Sequence, residues 1–271
     1  MRIQLIIPQE THRDFINREL CQSLHQNLSN LDGVELVDTS PEIVHIFGVW
    51  NNASAQKTES YRKKKIPVIF TPIKGLANLK LSDGATTNNI SIRQAIKNIA
   101  KRGAVIHVCG KQENACIKGI ARNAETAIIA NSSFTATTDN QKMVSQFAKI
   151  YSSSYQANDN KIREGIRQQI KKIKGIKADT VSFCEHIMYI RQRYIMGNIP
   201  KSYIEETSKL IRTSDYDEKE IEKVLDGLKV ASFAAYIMTL LEDTANLTEG
   251  FMPIEQKRGK IVKKMESIIT Q

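Results

Sequence analysis

Apolar positions in the first 150 residues fall into short runs separated by amphipathic stretches. Residues 3–7 (IQLII), 43–47 (IVHIF), 67–70 (PVIF), 104–108 (AVIHV) and 127–130 (AIIA) each read as a strand, and 34–37 as a shorter one. The spacing between them predicts helices over 11–30, 51–65, 90–101 and 112–123. In the first of these Phe15, Leu20, Leu24 and Leu28 share a stripe. Nearly continuous apolar strands alternating with helices predict a parallel sheet covered on both faces. Such sheets bind ligands beyond the carboxyl ends of their strands. That rule singles out 8–10, 48–51, 71–75, 110–113 and 131–133.

From about residue 138 the period changes to 3.6 and no strand pattern is left. Ile162, Ile166, Ile170 and Ile173 form one stripe. Val181, Cys184, Met188 and Ile195 form the next, then Ile221, Val224, Leu225 and Leu228. Val230, Phe233, Ile237, Leu240 and Leu241 follow, and Ile261, Met265 and Ile268 end the series. Asp215 is placed at a helix start, and Pro200 and Pro253 in first turns. The expected organisation is an α/β domain with a Rossmann-like parallel sheet over 1–150, then an all-helical region over 157–271. The polar run 152–160 (SSSYQANDN) is the expected soft boundary.

Charge changes this picture by its placement. The net charge is +10. Residues 1–150 carry 19 Lys and Arg against 12 Asp and Glu, 151–177 carry 7 against 2, and 178–271 carry 13 against 15. The basic excess of the first part and its adjoining segment favours an anionic ligand or surface. Aromatic residues are not interleaved with the cations, which weighs against nucleic acid. No apolar run reaches 18 residues and the first ten turn polar too soon for a signal peptide, so a cytoplasmic chain is expected. Cys21, Cys109, Cys116 and Cys184 have no CxxC spacing and read as free thiols.

Four strand ends, 42–52 (EIVHIFGVWNN), 66–76 (IPVIFTPIKGL), 104–117 (AVIHVCGKQENACI) and 126–134 (TAIIANSSF), taken in order, resemble the N-terminal, acceptor-side domain of family-four glycosyltransferases of the GT-B architecture. Residues 42–52 are similar to that family's strand ending in His-x-His-Gly-Leu-Trp. Residues 66–76 are similar to its strand ending in Thr-Pro-His-Gly, 104–117 to its strand followed by Ser-x-x-Glu, and 126–134 to its Val-Ile-Pro-Asn-Gly. The resemblance covers residues 1–135. It implies cleft or ligand-binding roles for His45, Gly48, Trp50, Lys74, Gly75, His107, Glu113 and Asn131. The departures are specific. The glycine-rich turn after the first strand is absent, the Thr-Pro-His-Gly histidine is replaced near Ile73 and Lys74, and Asn131 is followed by Ser132. A GT-B enzyme also closes its cleft with a second Rossmann domain that holds the nucleotide sugar through E-x7-E. No second strand–helix series follows here. Residues 249–255 (EGFMPIE) place their glutamates six apart in a helical setting and read as a chance echo.

Each candidate has a plain structural reading beside its functional one. His45 and His107 lie within apolar runs, where a hydrogen-bonded core histidine is the alternative to a cleft group. Glu113 opens a helix, where a carboxylate caps exposed amides. Lys74 reads as a phosphate ligand or a solvated loop lysine. Asp215 and Asp217 have the D-x-D form of a metal site but sit where helix capping explains them. The stretch 161–177, isoleucines on one face and seven cations around the rest, reads as a packed helix with a solvated basic face or as a peripheral contact with the inner membrane. No P-loop, HExxH or nucleophile elbow is present, and no metal or cofactor is expected. The functional expectation is a glycosyltransferase-like protein of glycan or polysaccharide assembly that lacks autonomous transfer, working with a protein partner or glycosyltransferase complex on a nucleotide sugar or glycan acceptor. A small active hexosyltransferase and a non-catalytic interaction module are the alternatives.

Overall fold

The computed structural model describes residues 1–7, 15–73, 87–130 and 137–270, with side chains left out at 15–21, 87–89 and 137–139. The chain divides into two compact units, Met1–Asn158 and Asp159–Gln271.

The first unit is α/β. Its strands are β1 (Arg2–Ile6), β2 (Glu35–Leu36), β3 (Ile43–Gly48), β4 (Val68–Pro72), β5 (Val105–Val108) and β6 (Glu125–Ile128). They form one sheet in the order β2-β1-β3-β4-β5-β6, with every pair parallel. The connecting helices are α1 (Phe15–Leu28), α2 (Asn52–Lys63), α3 (Thr87–Lys101) and α4 (Lys111–Ile120). α5 (Thr137–Ile170) begins in the first unit and ends in the second.

Alternation along the strands assigns the two faces. Ile3, Ile43, Phe47, Ile69, Ile73 and Val105 cluster with Leu24 and Leu28 of α1 and with Met143, Val144, Phe147 and Tyr151 of α5. The intervening positions Val44, Ile46, Val68, Phe70, Ile106 and Val108 are equally buried. On that side α2, α3 and α4 lie next to one another and contribute buried Ala55, Ile96, Ile99 and Ile117. Coverage on both faces explains why these strands read as unbroken apolar runs.

The polar run 152–160 is helical throughout, and the two units meet inside it. Its first part is anchored by side-chain bonds: Asn158 Nδ2 donates to the Lys65 carbonyl at 2.6 Å, and Arg62 Nη1 donates to Asn158 Oδ1 at 3.4 Å.

The second unit is built from the end of α5, α6 (Ala178–Met196), α7 (Lys201–Thr213), α8 (Glu218–Gly227), α9 (Ala231–Ala245) and α10 (Lys260–Glu266), with a 3₁₀ turn at Glu249–Phe251. Its core joins Ile166 and Ile170 to Phe183, Ile187, Ile190, Ile204, Ile211, Leu225, Ile237, Leu240 and Met265. The expectation of an all-helical region is corrected by β7 (Ile199–Pro200) and β8 (Ile269–Thr270), which pair in parallel. Two-residue strands carry no alternation to read. Gly197, at φ 88°, ends α6 in the left-handed region, and the Asn198 amide then closes onto the Arg193 carbonyl, releasing the chain into β7.

Three smaller expectations are also corrected. The cap of α8 is Asp217, whose carboxylate accepts from the Glu220 amide at 3.1 Å, not Asp215. Pro253 lies outside any helix, and Pro200 caps α7 rather than entering its first turn. Ile195 is exposed, not in the core. Among the described residues, no helix is long and apolar enough to cross a membrane.

Candidate functional site

β1 has β2 on one side and β3 on the other, so the order of strands reverses between β1 and β3. The crevice beyond the carboxyl ends of two such strands is where open parallel sheets place ligands. β3 ends there at Gly48, and Val49, Trp50 and Asn51 lead into α2. Asn51 Oδ1 accepts from the Ser54 amide at 2.8 Å and caps the helix. Trp50 is buried with its ring centroid 5.0 Å from that of Phe70. Its indole N–H has no hydrogen-bond partner among the described residues.

Gly48 is the residue that lets these groups close up. A Cβ there would lie 2.7 Å from Ser54 Oγ and 3.0 Å from Phe70 Cε2. The hydroxyl can turn away, but the Phe70 ring is fully buried under Trp50. Gly48→Ala is therefore expected to destabilise the first unit by about 1–3 kcal/mol, the usual cost of overpacking. Urea unfolding followed by Trp50 emission measures this directly, and an unchanged midpoint would show that the ring gives way freely.

Along the same edge β5 ends at Val108, and Gly110 caps α4. Glu113 Oε2 accepts from the Cys109 amide at 2.8 Å. This ties the strand end to the first turn of α4, the position where a carboxylate meets exposed helix amides. The structure thus gives Glu113 a capping bond.

His45 and His107 lie in the core between the sheet and α5, linked in one hydrogen-bonded chain. Tyr151 Oη is 2.6 Å from His45 Nδ1, His45 Nε2 is 2.7 Å from Thr71 Oγ1, Thr71 Oγ1 is 3.1 Å from His107 Nδ1, and His107 Nε2 is 3.0 Å from the Ile129 carbonyl. The last contact fixes the direction, because a carbonyl only accepts. His107 Nε2 donates to it, so the neutral His107 accepts at Nδ1 from the Thr71 hydroxyl. Thr71 then accepts from His45 Nε2–H, and His45 accepts at Nδ1 from Tyr151. Each member donates once in the same sense, and all four are neutral. Burial holds the His45 pKa well below 6.5, assisted by the neighbouring His107. Burial also lowers that of His107, against the Ile129 bond and the Glu113 charge, which raise it.

Five of the eight residues implied by the resemblance are therefore placed. Gly48 and Trp50 stand at the β1/β3 switch, Glu113 at the end of β5, and His45 and His107 in the core. Lys74, Gly75 and Asn131 lie outside the described residues. Tyr151 carries no signal in the sequence. Thr71 opens the strand-end stretch 71–75, and it serves there as a core hydroxyl that closes the histidine chain. Cys109, Cys116 and Cys184 are free thiols. Among the described residues, no group of three His, Cys, Asp or Glu is placed to hold a metal. Comparison with protein-family models, curated proteins and solved structures finds no match for this chain.

Proposed function

We propose that the chain is a glycosyltransferase-like protein of glycan or polysaccharide assembly, with an acceptor-type half-site on a Rossmann-like unit and no sugar transfer of its own. The observation that carries this reading is a contrast between the units. The first has six parallel strands with a switch point beside Trp50 and Asn51. In the second, among the described residues, the only strands are the two-residue β7 and β8. In a GT-B reaction, donors on the second lobe stabilise the departing nucleotide diphosphate as its charge develops. A half-site open to water would do this poorly, because exposed charges interact weakly. The basic excess of residues 1–150 suits a phosphorylated or otherwise anionic sugar ligand.

The test is a transfer assay with radiolabelled nucleotide sugars and a lysate of glycan acceptors. The chain alone is expected to give no turnover above hydrolysis, while adding a protein that co-purifies with it restores transfer. In that complex, Trp50→Ala and Asn51→Ala are expected to reduce transfer at least about tenfold, the effect of losing one or two positioning contacts. Turnover by the chain alone would overturn the claim that it lacks its own activity. Absence of both transfer in any complex and saturable carbohydrate binding would overturn the reading as a whole.

A further inference from the structure

The end of α5 and the turn into α6 present an unusual surface in the second unit. Ile162, Ile166, Ile170, Ile173 and Ile176 all pack in or against the helical core. The same stretch exposes Lys161, Lys171, Lys172, Lys174 and Lys177. None of these five lysines makes an ion pair among the described residues. The two arginines differ: Arg163 pairs with Asp159 at 2.7 Å and Arg167 with Glu185 at 3.5 Å. Four of the free lysines lie within residues 171–177, in a turn containing Gly175 at φ 74°. The remainder of the unit, 178–271, carries more acidic than basic residues, so the positive charge is local.

We infer that this α5–α6 corner docks the chain on an anionic lipid bilayer by charge alone, without inserting. Ile166 and Ile170 are buried, and Ile162, Ile173 and Ile176 are partly buried against the same core, which leaves little apolar surface to enter the acyl region and separates this surface from an amphipathic membrane helix. What is left is a cluster of point charges, each favourable near an anionic leaflet and acting over about a Debye length. Nucleic acid fits less well. Guanidinium groups make the bidentate phosphate contacts, and both arginines here are engaged within the protein. Residues 161–177 also contain no aromatic side chain on which a base could stack. The inference is independent of the sugar-transfer reading, since it rests on a different unit and is read by sedimentation rather than turnover.

The experiment is co-sedimentation of the full chain with phosphatidylcholine vesicles containing either no anionic lipid or about 30 mol% phosphatidylglycerol, enough for a substantial negative surface potential. The chain is expected to pellet with the anionic vesicles only, and about 0.5 M salt should release it fully, because the contact is screened. Replacing Lys171, Lys172, Lys174 and Lys177 by Gln together should weaken partitioning at least about a hundredfold. The variant's thermal melt should stay within a degree or two, since these side chains are exposed and unpaired. Binding that survives high salt, equal binding to neutral vesicles, or no binding at all would overturn the inference. So would lysine-dependent binding to duplex DNA by a chain that ignores the vesicles.

Discussion

Thr71→Val is expected to destabilise the first unit by about 2–5 kcal/mol, although the two side chains are nearly equal in volume. The hydroxyl is both the acceptor for His45 Nε2–H and the donor to His107 Nδ1. A methyl group in its place strands one donor and one acceptor in the core. Each unsatisfied buried group costs about 1–3 kcal/mol, and neither imidazole can turn outward to water. His45 is stacked on Phe47 with centroids 4.2 Å apart, and His107 meets Phe147 edge-on at 4.9 Å. Flipping either ring also fails, because the other nitrogen of each is already committed to Tyr151 or to the Ile129 carbonyl. Thr71→Ser keeps the hydroxyl and loses one methyl, so its cost should be nearer 1 kcal/mol. The measurement is simple because the chain has one tryptophan, Trp50, and it lies in the first unit. Denaturant unfolding followed by its emission reports on that unit. A Val variant within about 0.5 kcal/mol of wild type would mean that the chain of bonds contributes nothing net.

The same residues mark how far the sequence could be read. That His45 and His107 were buried followed from their apolar runs, and a buried histidine needs partners. That the partner of His45 is Tyr151, on a helix 106 residues further along, depends on α5 folding over the sheet, which no local pattern encodes. The strands between helices were legible because burial on both faces demands apolar runs. Their order was not, since a run does not say which neighbour it pairs with, and the β1/β3 switch depends on that order. β6 was expected over 127–130 but covers Glu125–Ile128. It is an edge strand and Ile128 is exposed, so hydrophobicity does not mark where its pairing stops. In α6 the expected stripe ran on to Ile195. The helix instead buries a broad arc that includes Phe183, Ile187 and Ile190, and Ile195 lies outside it. Asp215 and Asp217 were both reasonable caps by composition. Only the backbone decides that the Glu220 amide falls within reach of Asp217, while the Asp215 amide itself donates to Asp179 Oδ2 at 3.1 Å.

Acidification from pH 7 to pH 5 is expected to destabilise the first unit by about 2–4 kcal/mol. The sign follows from the histidine chain. In the unfolded chain His45 and His107 take up protons near pH 6.5, whereas in the folded unit burial keeps both neutral to lower pH. Below pH 6.5 the unfolded state therefore binds more protons, and stability falls as pH falls. The contribution is fully present above 6.5 and is lost progressively toward the lowered folded values, by up to about 1.4 kcal/mol per pH unit for each histidine. Protonation also breaks the bonding pattern, because a doubly protonated His45 would point an N–H at the Tyr151 hydroxyl that donates to it. The window is selective. Glu59, held below its ordinary range by hydrogen bonds from Arg102 and Lys63, titrates lower still. His186, pushed down to about 4 by burial and then by the Arg163 charge, belongs to the second unit and is not read by Trp50. His45→Gln removes one titrating group and should reduce the pH 7–5 slope by roughly half, whatever it does to absolute stability. A midpoint that stays flat across this range, or an undiminished slope in His45→Gln, would show that the core histidines are not the groups taking up the protons.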